Sequence, residues 1–231
     1  LSAGEGRPSG VRVIRVVVVD DEALVRSGFE LILRAAGDID VVSTAAGSQA
    51  MREVGLHRPD VVLLDIRMPD VDGLTILREI RGMPDPPVVA MLTTFDSDEY
   101  IAAALRSGAA GFILKDTDPE QLAQLVRTLA AGGVVLSPKV TRAVVDGYLD
   151  GGASAAAARR VAQLTDRERE VLVLIADGLS NADIGARIHL SVGTVKDHVS
   201  AILAKLEVGS RVQAALLAQR AGLLEQSEDL L

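Results

Sequence analysis

Two aspartates, Asp20 and Asp21, stand side by side where the run Val16 to Val19 stops. A third, Asp65, closes the apolar run "VVLL", Thr93 follows "VVAML", and Lys115 follows "GFIL". Each is ordinary alone: an acidic pair after a strand is more often a solvated turn, and a lysine more often a surface cation. Together they can do chemistry. Three carboxylates in one place repel one another, and one takes up a proton unless a cation neutralises them. An oxygen-only cluster without Cys or a nearby His suits Mg2+, which keeps several waters and takes one or two carboxylates. A lysine adds a mobile point charge for a phosphate oxygen, and the Thr93 hydroxyl can donate to another. A carboxylate is a competent nucleophile toward phosphorus, giving an aspartyl phosphate. The cation and lysine would stabilise charge on the transferring group.

Such a cluster needs elements that bring distant residues to one edge. From Val13 to about Ala131, short β-branched runs alternate with stretches of helical spacing. The runs are "VIRVVVV", "VVSTA", "VVLL", "VVAML" and "GFIL"; among the intervening segments are "ALVRSGFELILRAA", "GLTILREIRG" and "PEQLAQLVRTLAA". Nearly continuous apolar strands alternating with amphipathic helices imply a parallel sheet covered on both faces. The expectation is a doubly wound, five-stranded α/β domain of flavodoxin-like type, whose ligands sit at the carboxyl ends of the strands. All five candidate residues fall there.

Residues 1–12 are small, polar and Gly/Pro-rich, and read as a flexible leader. The α/β pattern covers 13–131, and 132–160 reads as a linker with one further helix expected at 138–149. Within it "GGASAAAARR" (151–160) looks like linker, although its alanines could be helical. Residues 161–225 are helical only, and 226–231 form a tail. Thr165 and Glu168 make a capping box for a helix ending near Gly178. A short helix is expected from Asn181 to Ile188, a longer one from Ser191 to Leu206, and a last one from Ser210 to about Ala221. The expected whole is an α/β domain, a linker and an all-α, four-helix domain.

The chain has no cysteine, so it holds neither disulfide nor thiolate metal site. No apolar run approaches a membrane span, and the expected location is the cytoplasm. A net charge of −8 argues against nonspecific coating of nucleic acid, which needs positive charge, but leaves room for a small basic patch.

The stretch from about Val13 to Ala131 resembles the receiver domains of bacterial two-component response regulators. The resemblance rests on "DD" after the first strand, "DIRMPDVDG" around Asp65, Thr93, and "GFILKD". It implies that Asp65 is the phosphoacceptor, with Thr93 and Lys115 contacting the phosphoryl group. It implies that Asp21 ligates Mg2+ directly, Asp20 through water or alongside it, and Arg67 through its backbone carbonyl. Phe112 falls at the position of the aromatic switch residue, though a phenylalanine inside an apolar strand is first of all a core residue. Pro69 and Gly73 are explained by a turn, and His57, in "GLHRPD", reads as solvated loop. An enzyme alternative is the aspartate-nucleophile phosphatase of haloacid dehalogenase type, which carries its acid/base aspartate two residues after the nucleophile. That position is Arg67 here, so an acyl phosphate would lack a general acid and turn over slowly.

In "LSNADIGARIHLSVGTVKDHVSAILAKL", Ile184 and Ile188 share a face of one helix, while Val192, Val195, Val199, Ile202 and Leu206 make an apolar stripe on the next. Two such helices read as helix-turn-helix or as a helical hairpin for docking; spacing alone favours the hairpin. The stretch from about Leu164 to Leu223 is similar to the LuxR-type DNA-binding domain of the NarL/FixJ class. That resemblance implies DNA contacts at Thr194, Lys196, Asp197, His198 and Ser200. It makes phosphate contacts plausible at Lys205 and Arg211, with Asn181 at a helix N-terminus able to meet a phosphate. It also implies that the helix after Ser210 dimerises. Asp197 puts negative charge on the reading face, and Gly185 replaces the usual alanine at an expected cost of about 1 kcal/mol of helix stability. The implied function is transcription regulation controlled by a partner histidine kinase, through double-stranded promoter DNA and a homodimer. The alternatives are a phospho-dependent protein adaptor and a dimeric DNA-binding regulator independent of phosphorylation.

Overall fold

A computed structural model describes residues 13–94, 98–136 and 154–223. The leader 1–12, the expected helix 138–149 and the tail 226–231 lie outside the described residues. The α/β half runs β1 (Ile14–Val19), α1 (Ala23–Ala35), β2 (Ile39–Ala45), α2 (Ala50–His57), β3 (Val61–Asp65), α3 (Gly73–Arg81), β4 (Val88–Thr93), α4 (Asp98–Arg106), β5 (Gly111–Leu114) and α5 (Pro119–Ala130). The sheet is parallel in the order β2-β1-β3-β4-β5. The order reverses between β1 and β3, so the strand ends carrying Asp20, Asp21 and Asp65 flank the switch point of a doubly wound fold.

Valines fill β1 because both of its faces are covered. Val17 and Val19 pack with Ala50 and Val54 of α2, Ile76, Leu77 and Ile80 of α3, and Ile101 and Leu105 of α4. Val16 and Val18 point the other way, onto Phe29 and Leu33 of α1 and Leu122, Val126 and Leu129 of α5. This alternation uses the period of two that a strand imposes on its side chains. Asp72 caps α3 by accepting from Leu74 N, and Asp118 caps α5 by accepting from Glu120 N, with Pro119 opening that helix.

The C-terminal half contains α6 (Ser154–Val161), α7 (Asp166–Ala176), α8 (Asn181–Ile188), α9 (Val192–Lys205) and α10 (Arg211–Arg220). Their shared core holds Val171, Leu172, Ile175, Ile184, Val195, Ile202, Leu206, Ala214 and Ala218. Thr165 and Glu168 form the expected capping box, and Ser180 with Asp183 form a second one on α8. Ser191 and Ser210 cap α9 and α10.

Residues 154–161, within the expected linker, are helical as their alanines allowed; Val161 packs in the C-terminal core and Ala157 is buried. Three other expectations change. Val192 is 45% exposed, so the buried stripe on α9 begins at Val195. His57 is the last residue of α2, with Nε2 3.3 Å from Glu53, not a free loop residue. Gly185 is more than a poor helix former: a Cβ there would lie 2.6 Å from the Leu190 carbonyl oxygen, so the close return of the chain selects glycine.

Candidate functional site: an acidic pocket and a helix-turn-helix joined by a seam

At the carboxyl edge of the sheet, Asp20 is fully buried and Asp65 nearly so, while Asp21 is exposed. Oxygens from the three carboxylates lie within 4.8 Å of one another. Lys115 Nζ sits 2.9 Å from Asp20 Oδ2 and 3.1 Å from Asp65 Oδ2. Burial pushes the Asp65 carboxyl up to about 6; Lys115 opposes this and the Asp20 charge adds to it. Burial pulls the lysine down, but hydrogen bonding and charge from Asp20 and Asp65 outweigh it and hold Lys115 above its ordinary value. Thr93 is buried at the end of β4, and its carbonyl accepts from Lys115 N at 2.9 Å, tying hydroxyl and ammonium positions to one backbone link.

Residues that sequence reasoning passed over build this pocket. Arg26, one turn into α1, donates to the Asp20 carbonyl at 2.6 Å and the Asp21 carbonyl at 3.0 Å, fixing the backbone of the acidic pair. Gly73 is pressed against the phosphoacceptor candidate: a Cβ there would lie 2.1 Å from Asp65 O. No sequence signal beyond the turn pointed to that approach. Arg67 extends outward, its guanidinium carbon 4.8 Å from the centre of the Tyr100 ring on α4. Phe112 is 1% exposed, a core side chain in this state.

The donor set suits a hard divalent cation. It is all oxygen, and Asp20 Oδ2, buried and in ionic contact with Lys115, has no well-directed hydrogen bond. Three carboxylates that share the charge of one lysine are what a bound cation would further neutralise.

On α9, Thr194, Lys196, Asp197 and Ser200 are exposed and His198 is half-buried. Thr194 Oγ1 lies 2.9 Å from Ser191 Oγ, and Ser200 Oγ donates to the Lys196 carbonyl. Lys205 is paired with Glu168 at 2.7 Å, which holds the Glu168 carboxyl below the usual range. Two expected phosphate contacts are turned inward. Asn181 and Arg211 are both buried; Arg211 donates to Asn181 Oδ1 at 2.8 Å and to the Leu179 carbonyl, and burial pulls the guanidinium down to about 10.

Arg211 is held within its own half, whereas Asn181 also meets a seam between the halves. Asn181 N donates to the Ala131 carbonyl at 3.1 Å, and Gly132 faces Asn181 where a Cβ would come within 2.5 Å of its amide. Arg81 donates to the Gly209 carbonyl at 2.9 Å, and Gln213 Nε2 to the Leu105 carbonyl. Val212 of α10 is buried in the same cluster as Ile101 and Leu105 of α4. Lys196 lines a cleft of about 810 Å3 shared with Asp60, Pro84, Asp85 and Arg58 of the α/β half.

Comparison with known proteins agrees with this division. Residues 16–127 match the response regulator receiver domain, and residues 162–218 match the luxR family of bacterial regulatory proteins. The transcriptional regulatory protein LnrK of Bacillus subtilis is 36% identical over 216 residues, covering 91% of this chain and 98% of that protein. The oxygen regulatory protein NreC of Staphylococcus epidermidis is 38% identical over 218 residues, covering 92% and 100%. Among solved structures, the response regulator ChrA of a heme-sensing two-component system is similar at 34% identity and a TM-score of 0.50, over 92% of this chain and 99% of that one. No helix among the described residues is long and apolar enough to cross a membrane.

Proposed function

The chain belongs to the response regulators that join a receiver to a LuxR-type DNA-binding domain, and on that premise we propose how its residues divide the work. It is a phosphorylation-controlled, DNA-binding transcription regulator rather than a conventional enzyme, with a histidine kinase as phosphodonor and DNA as target. Asp65 takes the phosphoryl group. The observation carrying this is its place beside Lys115 at the switch point of the sheet, nearly buried, with the exposed Asp21 in the same carboxylate cluster. Asp20, Asp21, Asp65 and the Arg67 carbonyl would hold Mg2+. When bound, Mg2+ neutralises the three carboxylates and the charge on the transferring group. Asp65 oxygen forms a bond to phosphorus as the bond to the donor's leaving group breaks. Lys115, already within reach, pairs with a phosphoryl oxygen, and the Thr93 hydroxyl donates to another.

The new charge and acceptor oxygens bias a two-state receiver. Thr93 and Phe112 are the residues placed to register it, Thr93 by turning toward the phosphoryl oxygen and Phe112 by repacking in β5. The seam then opens, freeing the Asn181 backbone together with the α9 face of Thr194, Lys196, Asp197, His198 and Ser200 for DNA, while Arg211 would have to trade its Asn181 and Leu179 partners for a phosphate. Lys205 would have to trade Glu168 for a phosphate. Release of α10 permits a homodimer that sums two half-sites, which the chain's negative charge makes necessary. The protein works in the cytoplasm.

The test is a gel shift on DNA from the chain's own promoter region, with and without acetyl phosphate and Mg2+, alongside Asp65→Asn. Tighter binding by the parent with phosphodonor, and none by Asp65→Asn, is the expected result. Equal binding in every lane would separate DNA reading from the aspartate.

A further inference from the structure

Glu22 occupies the N-cap position of α1, yet its side chain makes no capping hydrogen bond. Ser, Thr, Asp and Asn serve that position because their short side chains reach the first free N–H groups. Glu22 instead reaches across the pocket, its Oε1 3.4 Å from Lys115 Nζ. The backbone beneath it is pinned. Glu22 N donates to Asp20 Oδ1 at 2.8 Å, and the Glu22 carbonyl accepts from Arg26 N at 3.1 Å. Arg26 in turn holds the two carbonyls before it. Three carboxylates thus surround Lys115, and they differ in where they sit. The side chains of Asp20 and Asp65 are 0% and 6% exposed, whereas that of Glu22 is 60% exposed. Glu22 is the most exposed of the three, and it stands beside an ammonium whose side chain is only 10% exposed.

We propose that Glu22 is a specificity residue for phosphoryl uptake: by engaging Lys115, it disfavours small phosphodonors in proportion to their negative charge. This rests on Asp65 being the phosphoacceptor. The ammonium must exchange a carboxylate partner for a phosphoryl oxygen during uptake, and Glu22 both competes for it and repels the incoming anion. A partner protein can offset the repulsion by bringing its own cation to Glu22. A free metabolite cannot. The residue therefore insulates the regulator from metabolic phosphate donors while leaving it open to a protein donor.

Two small donors separate charge from shape. Acetyl phosphate is a dianion at neutral pH; Asp65 oxygen bonds to phosphorus as the P–O bond to acetate breaks, and acetate leaves with the electron pair. Phosphoramidate carries one net negative charge, because its nitrogen is protonated; the P–N bond breaks and ammonia leaves with that pair. Neither step takes up a proton. Phosphorylation rates of the full chain are measured with each donor at saturating Mg2+, in the parent and in Glu22→Gln, with the Mg2+ half-saturation of each recorded. Glu22→Gln should speed uptake from acetyl phosphate about threefold, a size an exposed ion pair can supply. Uptake from phosphoramidate should rise by clearly less, and both gains should shrink as salt screens the charge. Equal gains with both donors, no gain with either, or a gain matched by a shift in Mg2+ half-saturation would overturn the proposal. A parent that takes phosphate from neither donor would remove the Asp65 reading first and this proposal with it.

Discussion

At the scale of single residues, this chain uses arginines as fasteners for backbone and carboxylate. Arg26 secures the acidic pair, and Arg127 secures the turn into β2, donating through Nε and a terminal nitrogen to both oxygens of Asp38 at 2.8 Å. The Arg127 hydrogen bond holds the Asp38 carboxyl below the ordinary carboxylate value. A carboxyl depressed in the folded state contributes stability above its unfolded value, and loses that contribution as pH falls through the folded one. Asp38→Asn should therefore cost stability at neutral pH, and the difference from the parent should close at the acid end. Both side chains are about a third exposed, so the cost should be no more than about 1 kcal/mol. Urea unfolding of parent and variant at neutral and acid pH measures it; a difference that stays constant with pH would show that the charge of Asp38 is not the cause. Arg26→Ala belongs to the same scale with another readout. It should leave the sheet intact but loosen the acidic pair, weakening Mg2+ binding several-fold in a titration followed by a probe on the pocket.

At the scale of elements, legibility followed burial on two faces. The strands were readable because β-branched runs such as Val16 to Val19 have few other places to go in a water-soluble fold, and the residues ending them inherit a common edge. The cap at Thr165 was readable because a side-chain oxygen three residues before a free N–H is a local relation. Helix α6 was only half readable: its alanines have helical propensity, but glycines precede it, and what settles it is packing of the helix against distant α10, with Ala157 and Val161 buried. Gly73 is another case where only the fold tells. A turn accounts for a glycine, but the sequence does not reveal that Asp65 O occupies the space a Cβ would need. Gly73→Ala should thus destabilise the receiver by about 1–3 kcal/mol, and displace the Asp65 loop. Phosphorylation should slow by more than the folded fraction falls. Thermal unfolding together with a phosphorylation assay on the folded protein distinguishes the two effects; unchanged uptake would mean that the loop relaxes without moving Asp65.

At the scale of the molecule, the two halves are written as separate patterns in the sequence, and nothing in either pattern announces their seam. Asn181 and Arg211 looked like phosphate ligands because helix starts and arginines serve that purpose, yet here one backbone N–H meets a receiver carbonyl and the guanidinium is spent on its own domain. The Asn181 backbone N–H is thereby committed either to the seam or to DNA. A ligand shifts such an equilibrium only by its differential affinity for the two states, so loosening the closed state should imitate phosphorylation in part. Arg81 is the suitable place to intervene: it closes α3, belongs neither to the acidic cluster nor to the exposed α9 face, and donates across the seam to the Gly209 carbonyl. A net loss of about 1 kcal/mol for that bond corresponds to roughly a fivefold shift toward the open state. Arg81→Ala should accordingly raise the DNA affinity of the unphosphorylated protein about fivefold where the closed state dominates, speed amide exchange in α10, and reduce the further gain from phosphodonor by the same factor. Adding Gln213→Ala, which removes the bond to the Leu105 carbonyl, should extend the trend in both measurements. If amide exchange in α10 quickens while DNA affinity stays fixed, the seam opens without limiting access to DNA, and phosphorylation must act on dimer formation instead.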